Sequence, residues 1–419
     1  MTLQLSAAEA VLKDDYGDEP RDFINNSVFI QSQIETNTDD ITGRRALHAA
    51  HTRRSSGVGN RGDNGTLPTA GRQQYANTYI PVRYSYGRIQ LTGPTIEAMG
   101  TERGSFVRAI DSEMNGMQND VARDRNRQIW GTSNGVIAQC GTTSSSTTLQ
   151  LAAGTTAVQM AHAWADGGMT IDVGTIADPD AVAAGLTVTD YDETNLTLTV
   201  SSAVTTSGSH YIFRAGNGGA SDGSGTYNDG QLEITGLQTM LSTSAVLHGL
   251  DPANEPTWKA NVYDNSGTPR AINENHVNKA IHETERKSGK QIKLLVGSDG
   301  VSRAVANRLE AIRRNVDNVD LKAGYSGIRW TTPAEGMGRK TDIALCWDRD
   351  CPNGTLAGLN TDSMRRYVMR DWTWLDRDGS VWARVANQDA WEATYACYDE
   401  IGYLQRNDQF IIKDITEAN

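Results

Sequence analysis

Two short segments of the sequence place a serine in the pattern Gly-x-Ser-x-Gly, which positions the nucleophile of serine hydrolases. They are Gly131–Gly135, centred on Ser133, and Gly219–Gly223, centred on Ser221. That chemistry requires a strand before the serine and a helix after it, so that the hydroxyl is held strained and exposed. Here the first segment follows a helical pattern and the second lies in a glycine-rich stretch. A serine hydrolase is therefore an alternative function that lacks its supporting local structure.

Other short motifs also lack the context that their chemistry needs. Gly57–Gly62 matches the dinucleotide-binding pattern G-x-G-x-x-G, yet no strand precedes it and no helix follows it. His282–Arg286 has an arginine where a zinc protease has its second histidine. Asp317 and Asp320 could pair as acid and base, although an ordinary polar loop explains them better. We predict no catalytic residue, no cofactor, no metal site and no enzymatic activity.

The composition is that of a globular protein with a sizeable core. The chain has 419 residues, of which 38% are hydrophobic and 21% charged, with a net charge of −12. This charge argues against broad affinity for nucleic acids or membranes. No apolar run is long enough to cross a bilayer, and residues 1–30 lack the apolar core of a signal peptide. The cysteines are widely separated, which favours reduced, structural thiols: Cys140, Cys346, Cys351 and Cys397.

The charges are segregated along the chain. Residues 1–50 contain nine acidic and four basic side chains, whereas residues 51–88 contain six arginines and a single acid. Residues 132–235 contain ten acids and one arginine. Arginines outnumber lysines by thirty to nine overall. Because the planar guanidinium suits bidentate pairing with carboxylates, this usage favours arginine–carboxylate contacts at interfaces.

A long segment without core residues precedes the first strongly patterned elements. Arg53–Gln74 contains five glycines and four arginines, and loops of this length are usually functional or disordered. The β-forming residues of 79–91 then predict a long strand or one arm of a hairpin. Apolar side chains from Phe106 to Val121 recur every three or four positions, and Ile129 lies eight positions further along. They predict one helix of roughly 25 residues that ends at Gly131.

A small β-rich unit is predicted in the middle of the chain. Residues 142–148 and 215–230 are low-complexity stretches, and three segments of strict polar–apolar alternation lie between them. Polar joints at both ends are typical of an insertion that folds by itself. Helical and strand patterns alternate in the remainder, so the predicted fold class is α+β. An extracellular binding module built on this unit is a second alternative, although neither a secretion signal nor a disulfide pattern supports it.

Several patterns, in this order, resemble the major capsid proteins of tailed bacteriophages, particularly those of actinobacterial hosts. The resemblance begins with YIPVRYSYGRIQLTGP (residues 79–94) and FVRAIDSEMNGMQNDVARDRNRQIWG (residues 106–131). It continues with HGLDPANEPTWKA, LLVGSDGVSRAVANRL and RRNVDNVDLKAGYSG, and it covers nearly all of the chain from about Asn26 onward.

The resemblance implies the phage-capsid (Johnson) fold, an α+β architecture. Its parts would be an amino-terminal arm (1–50), an extended β-hairpin loop (51–94), a peripheral domain with a long spine helix (95–141), a β-rich insertion (149–214), an axial domain (236–370) and return strands of the peripheral domain (371–419). The implied function is self-assembly, as hexamers and pentamers, into the icosahedral shell around double-stranded DNA. Implied partners are other copies of the chain, a portal, scaffolding or cementing proteins, and DNA enclosed without sequence-specific binding. The implied location is the virion, assembled in the bacterial cytoplasm.

In this fold the extended loop lies across a neighbouring subunit, so its arginines would face the acidic arm of another copy. The implied contact residues are Arg53, Arg54, Arg61, Arg72, Arg83, Arg88, Asp14, Asp15, Asp18, Glu19, Asp39 and Asp40. Some relatives seal their shells through isopeptide bonds from a lysine of this loop. No lysine lies between Lys13 and Lys259, so we expect a shell held by non-covalent contacts. The alternative interpretation of the loop is a mobile, solvated tip.

Overall fold

The computed structural model describes residues 28–41, 43–94, 103–156, 159, 169–219, 230–312, 318–321, 326–331, 342–376 and 380–418. The chain divides into two compact units. One contains Tyr86–Arg123 and Trp374–Tyr395, and the other contains Val28–Ser85, Asp124–Thr373 and Ala396–Asn419. The helices of the described part are Phe29–Gln33, Arg103–Trp130, Leu237–Met240, Glu274–Ser288 and Asp299–Ile312, with a 3-10 turn at Thr361–Ser363.

The prediction of one long helix that ends at Gly131 is confirmed, because Arg103–Trp130 is helical. This helix has 28 residues, which at 1.5 Å per residue gives a length of about 42 Å. The N–H of Gly131 donates to the Gln128 carbonyl at 3.0 Å and closes the last turn. Ile129 and Trp130 are buried there. The apolar stripe therefore ends in the core, and the helix ends next to the predicted Gly131.

The coreless segment joins the two strands of an antiparallel ribbon. Strand β2 is Arg45–Arg53 and strand β3 is Gln74–Pro81, and the two pair from Arg45 opposite Pro81 to Arg53 opposite Gln74. Residues 54–73 connect them. A hairpin is thus present, with the long loop at its tip, but its bounds differ from the predicted 51–94. The predicted strand over 79–91 is interrupted at Val82, and its second part, Arg83–Thr92, pairs with Ala390–Tyr403 in another sheet.

A five-stranded sheet includes the two longest strands of the described residues. Its order is β1-β17-β19-β18, with β4 also paired to β19. The strands are β1 (Glu35–Asn37), β4 (Arg83–Thr92), β17 (Met364–Trp374), β18 (Ala383–Arg384) and β19 (Ala390–Tyr403). In the unit that contains Tyr86–Arg123, Gly87 of β4 lies against Met117 and Val121 of the long helix. The absence of a side chain at Gly87 lets the strand and the helix approach closely.

A six-stranded sheet forms from the β-rich segment, in the order β5-β10-β7-β8-β9-β6. The strands are β5 (Val136–Gln139), β6 (Thr143–Gln150), β7 (Thr170–Gly174), β8 (Ala183–Asp192), β9 (Thr197–Thr206) and β10 (Tyr211–Arg214). A bridge between Cys140 and Leu151 brings the two edge strands together. The sheet surrounds an apolar cluster of its own.

The interpretation of residues 142–148 as a low-complexity joint was wrong, because these residues form most of β6. Thr143 and Leu149 are buried in the sheet's interior, and most of the hydroxyl side chains between them are exposed. Threonine favours extended backbone because its Cβ is branched. A serine- and threonine-rich stretch can therefore be a strand whose outer face is polar.

A seven-stranded sheet occupies the second half of the chain, in the order β11-β20-β16-β12-β15-β14-β13. The strands are β11 (Asn261–Tyr263), β12 (Leu294–Gly297), β13 (Asn318–Asp320), β14 (Ser326–Thr331), β15 (Asp342–Trp347), β16 (Leu356–Leu359) and β20 (Phe410–Ile412). The helix Glu274–Ser288 begins at an Asn273 cap and ends at Gly289, whose φ of 74° suits glycine. Strand β20 joins this sheet although it lies within residues 371–419, and β6 begins before residue 149. The division of the chain into capsid domains stays a prediction.

Candidate assembly surface on the extended hairpin

One face of the β2–β3 ribbon packs on the chain's own core. Inward and outward side chains alternate along both strands, as they must in extended backbone. The inward residues Ala46 and Ile80 are buried against Tyr367 of β17. On the outward face the Arg45 guanidinium lies 4.4 Å from the centre of the Tyr79 ring. Burial of one face holds the root of the hairpin in place.

Polar contacts fasten the same root. His48 Nε2 lies 2.7 Å from the Tyr367 hydroxyl, so this pair shares a hydrogen bond. The Thr257 hydroxyl donates to the Thr52 carbonyl at 3.2 Å. These bonds connect β2 to segments that are far away in sequence, and they fix where the ribbon leaves the core.

A tight turn at His248 and Gly249 also contacts the ribbon. Leu247 and Leu250 exchange two backbone hydrogen bonds of 3.1 and 3.0 Å. The two residues between them have positive φ angles, 54° for His248 and 81° for Gly249, which is the geometry of a type I′ turn. The His248 carbonyl accepts a hydrogen bond from the Tyr79 N–H of β3 at 2.9 Å.

The His248 ring makes a second connection, to β19. Its Nε2 accepts the Tyr403 backbone N–H at 3.2 Å, and the two rings stack with centroids 5.8 Å apart. Burial lowers the pKa of His248 to about 3, and the nearby charges of Arg406 and Arg83 act in the same direction. The ring therefore stays neutral near pH 7 and keeps its acceptor nitrogen.

Arg53, one of the predicted contact residues, lies at the end of β2 and has partners in its own chain. Its guanidinium donates to the Asn254 carbonyl at 2.9 Å and lies 3.5 Å from the Glu255 carboxylate. Beyond Arg53 the loop leaves the core.

The loop of residues 54–73 is almost entirely exposed, but it has a definite shape. Gly57 and Gly71 approach so closely that a Cβ on Gly57 would lie 2.8 Å from the Gly71 nitrogen. We call this pair the neck, and residues 58–70 beyond it the head. Two apolar side chains of the head face solvent, Val58 with 89% and Leu67 with 80% of the surface exposed.

Arg61 holds the head together from within. Its Nε donates to the Thr66 carbonyl at 2.8 Å and its Nη1 to the Asn60 carbonyl at 2.8 Å. The Gly65 N–H donates to the Gly62 carbonyl at 3.0 Å and closes a turn inside the same head. Arg61, which the sequence predicted to contact another copy, thus donates its hydrogen bonds within its own loop. Arg54 and Arg72 are exposed, without an ion-pair partner among the described residues.

Placing Arg83 among the contact residues was wrong, because Arg83 is buried inside its own chain. Its guanidinium lies 3.4 Å from the Glu400 carboxylate and donates to the Gln231 carbonyl at 2.6 Å. Glu400 also accepts the backbone N–H groups of Thr235 and Ile401. Burial raises the pKa of Glu400 to about 7, while Arg83 and the two N–H groups act in the opposite direction.

The remaining predicted contacts differ in accessibility. Arg88 pairs with Glu392 of the same chain at 2.6 Å and is still more than half exposed. Asp39 and Asp40 are exposed in a turn where Asn37 Oδ1 accepts both of their backbone N–H groups. The other predicted acids lie outside the described residues: Asp14, Asp15, Asp18 and Glu19.

Sequence reasoning missed a buried charge cluster at the end of the long helix. Arg127 pairs with Asp124 and with Glu233, and Arg214 lies 3.6 Å from Asp124. Burial pushes the pKa of Asp124 upward, but Arg127 and Arg214 outweigh it and hold the pKa well below its usual range. The only available signal was the DRNR sequence, residues 124–127, inside the apolar stripe.

A second buried cluster ties the long helix to the five-stranded sheet. Arg125 and Arg366 both donate to Asp399 Oδ2 at 2.6 Å. Arg125 also donates to the Gln31 side chain at 3.2 Å, and Arg366 to Asp371 at 2.7 Å. One carboxylate thus orients two guanidinium groups, so both arginines stabilise the fold of their own chain.

Ser133 makes hydrogen bonds inside the fold, close to the end of the long helix. It lies three residues after Trp130 with a φ of 68°, and only 3% of its surface is exposed. Its hydroxyl accepts the Gly236 N–H at 2.9 Å and lies 3.0 Å from the Thr239 hydroxyl. The strand-to-helix elbow that the hydrolase motif requires does not form at this serine. Ser221 lies outside the described residues.

Among the described residues, no three histidine, cysteine, aspartate or glutamate side chains lie where they could hold a metal ion together. No helix in this part of the chain has the length and apolar character needed to span a bilayer.

Comparison with known proteins shows the fold. The sequence matches no protein-family profile and no curated protein sequence. The structure is similar to a chain of the cyanophage A-1(L) capsid asymmetric unit, with a TM-score of 0.59 and 13% identity over 99% of this chain and 100% of that chain. A similar chain occurs in the capsid of the native GTA particle, with a TM-score of 0.49 and 10% identity over 99% of this chain and 100% of that chain. Another occurs in Mycobacterium phage Bobi, with a TM-score of 0.46 and 10% identity over 99% of each chain. The chain has the phage-capsid (Johnson) fold, as the resemblance of its sequence to that family implied.

Proposed function

We propose that this chain is a structural subunit of a closed shell, the major capsid protein of a tailed bacteriophage. One observation carries the proposal: the likeness to the cyanophage capsid chain extends over 99% of this chain and 100% of the other. A likeness of that extent concerns the whole architecture and not a single shared domain.

The hairpin supports self-association. Its root is buried and hydrogen-bonded inside the subunit, whereas residues 54–73 have almost nothing to bury within their own chain. A two-stranded ribbon gains little stability by itself, so its distal part needs an external surface. We assign that surface to another copy of the chain.

Ion pairs contribute specificity to this contact. Arg54 and Arg72 are exposed, as are Asp39 and Asp40, and they are the candidates for pairing between copies. Because exposed pairs contribute only about 0–1 kcal/mol each, they would set register and partner choice. Affinity would come from apolar burial and from the many simultaneous contacts that closure of a shell provides.

The same function implies further partners and a location. Hexamers and pentamers of the chain would form an icosahedral shell around double-stranded DNA, together with a portal and scaffolding or cementing proteins. The net charge of −12 suits a shell that encloses DNA without adsorbing it strongly. The role is structural and non-enzymatic, the location is the virion, and assembly takes place in the bacterial cytoplasm.

Size-exclusion chromatography and negative-stain electron microscopy of the purified chain test the proposal. We expect large, closed particles of uniform diameter. A matched control replaces residues 54–73 by Asn-Gly, a two-residue turn that can join the paired residues Arg53 and Gln74. This variant should fold and stay unassembled. Monomers or small oligomers of the unaltered chain at every soluble concentration would contradict the proposal.

A further inference from the structure

The head of the hairpin combines a closed shape with exposed apolar side chains. It is closed on itself by the glycine neck and by the two hydrogen bonds of Arg61. It nevertheless presents Val58 and Leu67 almost completely to solvent. Covering these two side chains with another surface would be favourable, because removal of apolar area from water lowers the free energy.

We propose that Val58 and Leu67 are the anchors by which the hairpin binds a second copy of this chain. Arg61 is the positioning residue that preforms the head, instead of an ion-pair partner for that copy. The inference rests on the proposed function, and it names the residues responsible for the contact.

The geometry of Arg61 explains why its role is internal. Two nitrogens of one rigid guanidinium donate to two carbonyls of the same loop, Asn60 and Thr66. A lysine ammonium carries the same charge but lacks the planar fork that makes both bonds at once. A loop already held in its bound shape loses less conformational entropy on binding, so both anchors can act together.

Charge-conserving and anchor substitutions separate the two roles of the loop. Arg61→Lys keeps the charge but cannot make both hydrogen bonds at once. We expect it to raise the subunit concentration needed for assembly by roughly tenfold. The double variant Val58→Ser, Leu67→Ser should raise it by roughly a hundredfold or more, because both anchors lose apolar burial. Thr66→Ser is the matched control, since the hydrogen bond from Arg61 goes to the backbone carbonyl of Thr66, which the substitution keeps. It should assemble like the unaltered chain.

All of these side chains are exposed, so circular dichroism of the unassembled variants should match that of the unaltered subunit. Particles of the unaltered chain must form first, and their absence would reject the proposed function. If they form and Arg61→Lys assembles equally well, Arg61 is not the positioning residue. If the double serine variant assembles equally well, Val58 and Leu67 are not the anchors.

Thiol labelling provides an independent readout of where Leu67 lies. The four native cysteines are buried, so a Leu67→Cys variant has one accessible thiol. We expect rapid maleimide labelling of unassembled subunits and strong protection in intact particles, with reactivity restored after disassembly. Equal labelling before and after assembly would show a solvated tip and overturn the inference.

Discussion

The backbone N–H of Tyr79 donates a 2.9 Å hydrogen bond to the carbonyl of His248, whose ring accepts the N–H of Tyr403. One turn residue thereby connects the extended ribbon to strand β19. His248 does this from a positive φ of 54°, which non-glycine residues rarely adopt. The turn that holds the hairpin root in position thus contains a residue in an energetically unfavourable backbone conformation.

Substitutions of His248 should separate the turn geometry from the ring's hydrogen bond. His248→Ala loses the acceptor for Tyr403 and places alanine at positive φ, so we expect a loss of about 2–3 kcal/mol in unfolding free energy. His248→Asn should lose about 1 kcal/mol less, because Asn-Gly is favoured in a type I′ turn. Urea denaturation of the unassembled subunit measures both values. Equal losses would mean that the turn conformation contributes nothing.

The buried and exposed arginine pairs should differ strongly in their contribution to stability. Arg83→Met leaves the Glu400 carboxylate buried without its cation, and at pH 8 we expect a loss of about 3–5 kcal/mol. Arg88→Met removes a half-exposed pair with Glu392 and should cost less than about 1 kcal/mol. Denaturant unfolding of both variants at the same pH provides the comparison. Similar losses would contradict the assignment of Arg83 to the core.

The raised pKa of Glu400 should appear as a pH dependence of stability. The folded subunit holds the Glu400 proton up to about pH 7, whereas an unfolded glutamate releases it near 4.5. The stabilisation is therefore complete below about pH 4.5 and is lost as the pH rises through 7, by roughly 3 kcal/mol at most. The Glu400→Gln variant removes this titration. The difference in unfolding free energy between the original chain and the variant should shrink from pH 5 to pH 8, and a constant difference would refute the prediction.

Two glycine-to-alanine substitutions should have opposite effects. A Cβ on Gly87 would lie 2.6 Å from the Met117 sulfur, so Gly87→Ala should destabilise by about 1–3 kcal/mol through overpacking. Gly116, inside the long helix, has no atom within 4 Å of a new Cβ. Gly116→Ala should stabilise by about 0.5–1 kcal/mol, because alanine restricts the unfolded chain and favours the helix. Thermal unfolding of the two variants tests both signs.

Mature particles should dissociate into single chains on a denaturing gel. The hairpin region has no lysine, since none lies between Lys13 and Lys259. An isopeptide bond from that loop therefore has no nucleophile. A ladder of multimers after boiling in reducing buffer would contradict the expectation of a non-covalent shell.

Local patterns in the sequence predicted the elements whose signal lies within a few turns of chain. The stripe ending at Ile129 predicted the long helix, and Gly131 marked its end, because helix periodicity and termination depend on neighbouring residues. The lack of core residues in Arg53–Gln74 likewise indicated a projecting segment. Even here the hydroxyl-rich β6 was missed, since its burial depends on the strands beside it.

The charged residues required the tertiary structure, because a sequence does not state which partner a side chain meets. Arg83 and Arg61 lie in the same cationic segment, yet one is buried with Glu400 and the other is bound to carbonyls of its own loop. Glu400 is contributed by a distant strand, and the Arg61 contacts depend on the turn that residues 62–65 adopt. The sequence by itself thus determined that this region projects and is cationic. Only the tertiary structure decided which of its arginines are available to another molecule. Long-range packing determines which side chains are buried, and a buried arginine that is paired within its own chain cannot contact a partner.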